Sequence, residues 1–501
     1  MKQMPNQANL KGWSIMNNMK SSLLIPTIIL VLMTVPFGIS RAEDKFPDPS
    51  TYVPTTKDFF AAKSMFDDPR SLKEAFPIEK VVPQEMHKYI FFDPKESAQI
   101  WADAIGFRAP DVVGKISPEI KPGKYTYKDV QNNPAFQKLF SPWFLTRIGP
   151  GGPPIAGMIP EFEITETEQM FNPVPLAKAT KDNMGKAKLD SEGYLVIDSL
   201  QPGYPFPRPE GEFKAQQYLY NWLERYQGWG FNSYSVATVF AFDKNLKNDR
   251  FLSNYAVTMR TTNRIFFPPY GDYDPEARKR QEKFSITSYV DQPRDSHGSV
   301  NLWQYYRNPD KPDALAVWVP ALRRIRKVSG TDSQDQMFGL DSIMDDANLF
   351  GQKLSPTLYP YKVRVLEERE FLVCANNDTT EYLDTKDNLA FKGIKLQRRP
   401  VVVIEMVQQD PNYVYGKRVL YFDKETFFLL MIDCYNQKGE LYRSSWGSWG
   451  WDPKTASTGS TTLYTQNDEI DKHVTVGFMS TFPAYYDRKD VGLARMVRFG
   501  K

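Results

Sequence analysis

Cysteine, histidine and net charge are what this sequence has least of. Two cysteines in 501 residues exclude a disulfide-framed scaffold and a cysteine-built zinc site. Cys374 and Cys434 both fall in strand-like runs, where a disulfide and two separate buried thiols fit equally well. The histidines are His87, His297 and His473, far apart in the chain, and neither an HExxH nor a GxSxG pattern occurs. A catalytic triad needs a histidine held by a carboxylate; Asp295-Ser296-His297 is the one crowded place, and it reads as an ordinary loop. The glycine-rich run at 149–152 is followed by no Lys-Ser or Lys-Thr, so it is no phosphate loop. No catalytic residue, metal site or cofactor is therefore expected. Net charge is only +3, with both signs interleaved and no basic arm, which argues against nucleic acid as a partner. Beyond the N-terminal segment no apolar run is long enough to span a bilayer.

Aromatic residues, by contrast, make up 14% of the chain and hydrophobic residues 41%, enough for a sizeable core. The 38 prolines exceed the 29 glycines, which favours long extended segments. Lys2, Lys11 and Lys20 precede an apolar run from Leu23 to Phe37, and Ser40-Arg41-Ala42 follows. This is the layout of an export signal, with cleavage expected near Ala42 and a mature chain in a bacterial periplasm. No cysteine follows the apolar run, so the chain is not itself expected to be lipidated there. The expected organisation is a signal at 1–42, a proline-rich arm with short helices at 43–165, and one large domain at 166–501.

The stretch from Gly203 to Gly230 divides an irregular first part from a strand-rich second part. Pro205, Pro207 and Pro209 keep its beginning extended. Ala215, Tyr218, Leu219, Trp222, Leu223 and Tyr226 then recur at helical spacing, with Lys214, Gln217, Asn221, Glu224 and Arg225 on the other face. Lys95 to Phe107 predicts a second amphipathic helix, and Leu195 to Leu200 a short strand. Strand signals then follow in series from Ser233, through Phe284–Val290, Asn301–Arg307, Leu315–Val319 and Arg324–Val328, to Leu441–Trp446. Close spacing without intervening helices predicts an antiparallel sheet, covered by the aromatic helix and by residues 338–350.

Three stretches carry a family resemblance: GYPFPRPEGEF with YNWLERYQG, WVPALRRIRKVSGTDSQDQMFGLDSIMDDANLF from Trp318, and RVLYFDKETFFLLMIDCYNQKGELYR from Arg418. Together they resemble an uncharacterised exported family of the LolA/LolB-like superfamily, the outer-membrane lipoprotein-sorting-like proteins. The resemblance implies an α+β fold, a large curved antiparallel sheet forming a half barrel with helices on its concave face. It also implies a non-enzymatic carrier of lipid or acylated ligands, working beside an inner-membrane exporter or an outer-membrane component. This chain is far longer than the small carriers, so their cargo is not carried over.

For such a cavity the candidate lining is Trp222, Trp303, Tyr305, Trp318, Phe338, Met344 and Phe350. Arg324 and Arg326 share one face of a strand and are candidates for an anionic headgroup; the plainer reading pairs this basic hairpin with Asp341, Asp345 and Asp346. The acidic run Glu367–Glu370 reads as an exposed edge or turn, and Trp446, Trp449 and Trp451 as core rather than a sugar platform. The competing function is glycan binding or an envelope scaffold without a lipid cavity.

Overall fold

The computed structural model describes residues 54–56, 69–71 and 84–493, less 329–332, 348, 377–381, 385, 484–487 and 489–490. The expected signal and its cleavage site lie outside these residues. The chain is α+β, built on one large and almost wholly antiparallel sheet. In chain order the strands are β1 Gly123–Thr126, β2 Glu161–Ile164, β3 Asn232–Phe242, β4 Asn248–Arg260 and β5 Glu282–Gln292. They continue with β6 Val300–Tyr306, β7 Ala314–Val319, β8 Arg324–Val328, β9 Tyr361–Val373 and β10 Lys395–Gln408. The last five are β11 Lys417–Asp423, β12 Leu429–Tyr435, β13 Leu441–Asp452, β14 Ser457–Asp468 and β15 His473–Pro483. In space the order is β8-β7-β6-β5-β4-β3-β15-β14-β13-β12-β11-β10-β2-β1, with β9 also paired to β10. Two meanders, β3 to β8 and β9 to β15, are thus joined where the last strand pairs with β3, Val476 opposite Phe240. The short contact of β2 with β10 is parallel, as is the isolated bridge of Ile148 with Ile159.

The longer helices are α1 Pro94–Ile105, α2 Val174–Asp182 and α3 Lys214–Leu223. At α1, Asp93 accepts the Lys95 N–H at 2.9 Å and Pro94 opens the first turn, while Gly106, at φ 91°, supplies the left-handed residue that ends it. The aromatic helix α3 buries Ala215, Tyr218, Leu219 and Trp222 as its spacing predicts, but it stops at Leu223 rather than at Gly228. Asn221, Glu224 and Arg225, expected on the other face of the helix, are buried as well. Asn221 accepts from the Phe206 N–H at 2.9 Å and donates to the Phe206 carbonyl at 2.7 Å, so its amide holds the proline segment that has few donors of its own. Arg225 folds back over the Trp222 ring, 3.7 Å from its centroid.

Residues pair across the sheet so that alternate positions share a face. One face carries Tyr421, Met431, Trp446, Val476 and Phe240. Its β10–β13 half is covered by the chain before β3: Phe144 meets Trp446 edge-on at 5.5 Å and Trp101 donates its indole N–H to the Glu425 carbonyl. The other face carries Arg418, Leu420, Phe422 and Ile432, and here α3 packs, Tyr218 and Trp222 lying against Phe422. The stretch at 84–165 thus supplies two strands and a cover of short helices.

Several elements depart from the sequence reading. Leu195–Leu200 is a single bridge, Leu189 to Leu195, followed by a helical turn at Ile197–Ser199. Strands β14 and β15 carried no clear signal, because β14 is mostly Ser, Thr and polar residues and offers little alternation of apolar groups. Glu367 and Glu368 do lie on an edge, in β9 beside a bulge between Val365 and Glu367, but Glu370 is buried and pairs with Arg398 at 3.1 Å. Trp446 and Trp449 are core, each about 1% exposed, with Trp449 stacked on Phe428 at 4.6 Å. No disulfide joins Cys374 to Cys434, and both are buried. Among the described residues no helix is long and apolar enough to cross a membrane.

A fully buried ionic cluster fastens the early chain to the sheet. Arg399 binds Asp423 at 2.6 Å and Glu425 at 2.7 Å, and Glu425 also accepts the backbone N–H groups of Ala109 and Met170. Removing one member of such a cluster leaves uncompensated buried charge. Arg399→Leu is expected to destabilise the protein by about 3–5 kcal/mol. Denaturant midpoints of variant and wild type would check this, and equal midpoints would contradict it.

Candidate functional site

On the α3-bearing face, the first meander presents a ladder of aromatic rings. Phe284 stacks on Tyr305 with centroids 4.2 Å apart, and Tyr305 lies nearly parallel to Trp303 at 6.5 Å. Neighbouring strands place these rings in register, Phe284 opposite Tyr305 and Trp303 opposite Leu315. The end of α3 closes one side and residues 344–359 form the roof. Two hollows lie between them. One, about 60 Å³, is bounded by Tyr220, Leu223, Phe284, Tyr305, Phe350 and Leu354. The other, about 80 Å³, is bounded by Trp303, Tyr305, Leu315, Val328, Met344 and Tyr359. Tyr305, Asp313, Ala347, Gly351 and Lys353 border both. At roughly 10–15 Å³ per water these hollows hold a handful of waters each, not an acyl chain.

Charged groups ring the first hollow. Lys283 binds Glu224 at 2.7 Å, and Lys353 binds Asp313 at 2.6 Å. Burial lowers the Lys283 pKa and raises that of Asp313, against the pull of their partners. Burial also brings Arg225 down to about 10. Arg307 is 9% exposed and lines the same hollow, with one Nη donating to the Ile197 carbonyl at 3.2 Å.

The roof is held from below by polar contacts. Arg418, buried on the sheet, donates to the Tyr361 hydroxyl at 2.6 Å, the Tyr413 hydroxyl at 2.9 Å and Gln352 at 3.1 Å, and lies 3.8 Å from Asp346. Tyr413 donates to Asp345 at 2.6 Å and Tyr415 to Asp346 at 2.7 Å. Burial raises Asp345 to about 6. Away from the hollows, His473 of β15 sits between Asp341, just before the roof segment, at 2.7 Å, and Asp249 of β4, at 3.2 Å. Burial alone would lower the imidazole, but the hydrogen bonds and charges of the two aspartates outweigh it and raise its pKa to about 10.

Of the sequence candidates, Trp303, Tyr305, Met344 and Phe350 come together around the hollows. Trp222 lies deeper, its indole N–H bound to the Phe350 carbonyl at 2.7 Å, so it supports the roof rather than facing the space. Trp318 points to the opposite face, where it packs with Val300, Leu302 and Ala316, because it is three residues from Leu315 in a regular strand. Phe338 packs by Val239, Leu252 and Leu340, away from both hollows. Arg324 and Arg326 are exposed on β8, at the end of the sheet beside Val328 of the second hollow. The expected pairing of this hairpin with Asp341, Asp345 and Asp346 is overturned, since those acids serve His473, the tyrosines and Arg418. His297 is a loop residue, its Nδ1 2.8 Å from the Asp291 carbonyl. Sequence reading missed Arg307, Lys283 and Asp313, whose charges mimic solvent-facing positions at strand ends; the one available signal was their closeness to the Trp303–Tyr305 run.

A family model described as a protein of unknown function (DUF1329) matches residues 160–489. No curated protein matches the chain. Similar solved structures include a domain from Vibrio parahaemolyticus described as outer membrane lipoprotein-sorting, 16% identical over 53% of this chain and 92% of that one, TM-score 0.37. A DUF1329 family protein from Desulfovibrio piger is 16% identical over 53% of this chain and 90% of its own, TM-score 0.37. A LolA superfamily protein from Nitrosomonas europaea is 13% identical over 56% and 98%, TM-score 0.34. At such scores these are likenesses only, and no site or ligand passes from them to this chain.

The His473 contacts make a pH prediction. Its folded pKa lies above the free value, so the stabilisation is complete below about pH 6.5 and is lost as pH rises through about 10. For a ring that is 21% exposed the effect is on the order of 1–2 kcal/mol after solvent screening. Wild type should lose melting temperature between pH 7 and 10 relative to His473→Gln; parallel pH curves would contradict it.

Proposed function

The chain belongs to the DUF1329 family, and we propose that it is a periplasmic carrier of lipids or other hydrophobic ligands, with its sheet acting as a half barrel around them. The observation that carries this reading is the aromatic ladder beside two hollows, under a roof that Arg418, Tyr413 and Tyr415 fasten by polar contacts while Leu349, Phe350 and Leu354 pack into the core. The hollows in their closed form are too small for an acyl chain. Lifting residues 344–359 would merge the two hollows over Trp303, Tyr305, Met344 and Phe350. Burial of acyl methylenes supplies about 0.8 kcal/mol each, so a dozen would suffice for tight retention. The cargo would be a lipid or an acylated molecule, passed to or from an inner-membrane exporter or an outer-membrane component, with no chemistry performed on it. Arg324 and Arg326, exposed near the second hollow, would draw anionic headgroups toward the mouth. The competing glycan reading has less support, since Trp446 and Trp449 are interior and Trp451 is partly buried with its indole N–H bound to the Phe171 carbonyl.

Two measurements check the proposal. Protein secreted from a bacterial host, extracted with organic solvent, is expected to yield stoichiometric lipid of one class by mass spectrometry. Lipid-free protein that also fails to bind an apolar dye, yet is retained on polysaccharide, would favour glycan binding instead. Arg324→Ala with Arg326→Ala should slow association of anionic lipid several-fold at low salt and leave the fold intact; an unchanged rate would remove the headgroup role.

A further inference from the structure

Arg307 stands out among the cations around the first hollow. Lys283 and Lys353 each have a carboxylate partner, Glu224 and Asp313. Arg307 is nine-tenths buried and, among the described residues, forms no ion pair within 4 Å; its Nε is buried with no hydrogen-bond partner. Its one side-chain hydrogen bond goes to a neutral carbonyl, that of Ile197. The charges around it do not cancel its own: Glu224 and Asp272 favour the cation, while Arg278 and Arg260 oppose it. A buried guanidinium without a counter-ion costs several kcal/mol, and its planar fork is shaped for carboxylate or phosphate oxygens. Beside it runs the apolar ladder of Phe284, Tyr305 and Trp303, roofed by Phe350.

We infer that Arg307 is the seat of a compact anionic head, carboxylate or phosphate, of a single-chain amphiphile whose tail lies along this ladder from the first hollow into the second. The inference rests on the carrier reading and names its ligand class. Four cations against two acids line the first hollow, Arg225, Lys283, Arg307 and Lys353 against Glu224 and Asp313, so an anion is accepted there without displacing an existing pair. The wall between the hollows includes Ala347 and Gly351, small residues of the roof, so a modest shift of that segment opens a path for one chain. Arg324 and Arg326, exposed at the rim, then serve as first contact, and Arg307 as the final site.

The test is titration calorimetry of the full mature chain with dodecanoate, dodecyl phosphate and dodecanol, on wild type, Arg307→Gln and Arg307→Lys. Wild type is expected to bind at least one anionic probe ten-fold or more tighter than dodecanol; whichever of the two is tighter separates a carboxylate from a phosphate head. Arg307→Gln should abolish that preference while still binding dodecanol, and Arg307→Lys should keep part of it. Ligand-free Arg307→Gln should melt at or above the wild-type temperature, because an uncompensated charge has been removed; a purely structural arginine would lower it. Equal preference in wild type and Arg307→Gln, with all probes bound, overturns the seat at Arg307 and leaves the carrier reading standing. Failure of wild type to bind dodecanol and both anions overturns the carrier reading itself.

Discussion

A single buried guanidinium decides how this molecule holds its roof. Arg418 lies on the sheet beneath residues 345–352 and gathers Tyr361, Tyr413, Gln352 and Asp346 around it, with the Phe350 ring 5.3 Å away. Each partner comes from a different part of the chain, so the cation fixes the roof to β9, to β11 and to the loop before β11 at once. A charge so deeply placed is tolerated because its neighbours accept hydrogen bonds, and it cannot be deprotonated to escape the cost. The same economy appears on the other face, where Arg399 with Asp423 and Glu425 fixes the early chain. The two faces are therefore secured by similar chemistry yet serve different ends. One cover is a core half that encloses Trp446 and Trp101; the other lies over space.

That contrast bears on mobility. Phe144 and Trp101 pack their rings against Trp446 and Phe427, and such contacts give way only with the core. The roof adds to its packed residues, Leu349, Phe350 and Leu354, directional bonds to tyrosine hydroxyls and carboxylates, which exchange for water at modest cost once opened.

The legible part of the fold was the part written in alternation and helical spacing. Most of β3 to β13 and the aromatic helix announce themselves, since burying one side of each demands a periodic apolar pattern. Strand β14 did not, because its Ser- and Thr-rich sequence takes its place from its neighbours' hydrogen bonds rather than from its own side chains. Trp303, Tyr305, Met344 and Phe350 were found because large apolar groups in an α+β protein line whatever space there is. Trp318 was misjudged by facing, which depends on register, and register depends on pairing that one strand does not encode. Arg307, Arg418 and Asn221 were hidden for a common reason. A polar residue reads as solvent-exposed until the partners that let it be buried are known, and those partners lie elsewhere in the sequence.

The pairing of β15 with β3 sets the order of assembly. The sheet's middle seam joins a strand that begins at residue 232 to one that ends at residue 483. Until the final strand is delivered, the β3 edge of the first meander and the β14 edge of the second both stand open, with backbone groups awaiting partners. Such an edge invites pairing with another chain, and the contact that closes it is among the most distant in the sequence. A chain without β15 would therefore lose the seam that joins the two meanders into one sheet.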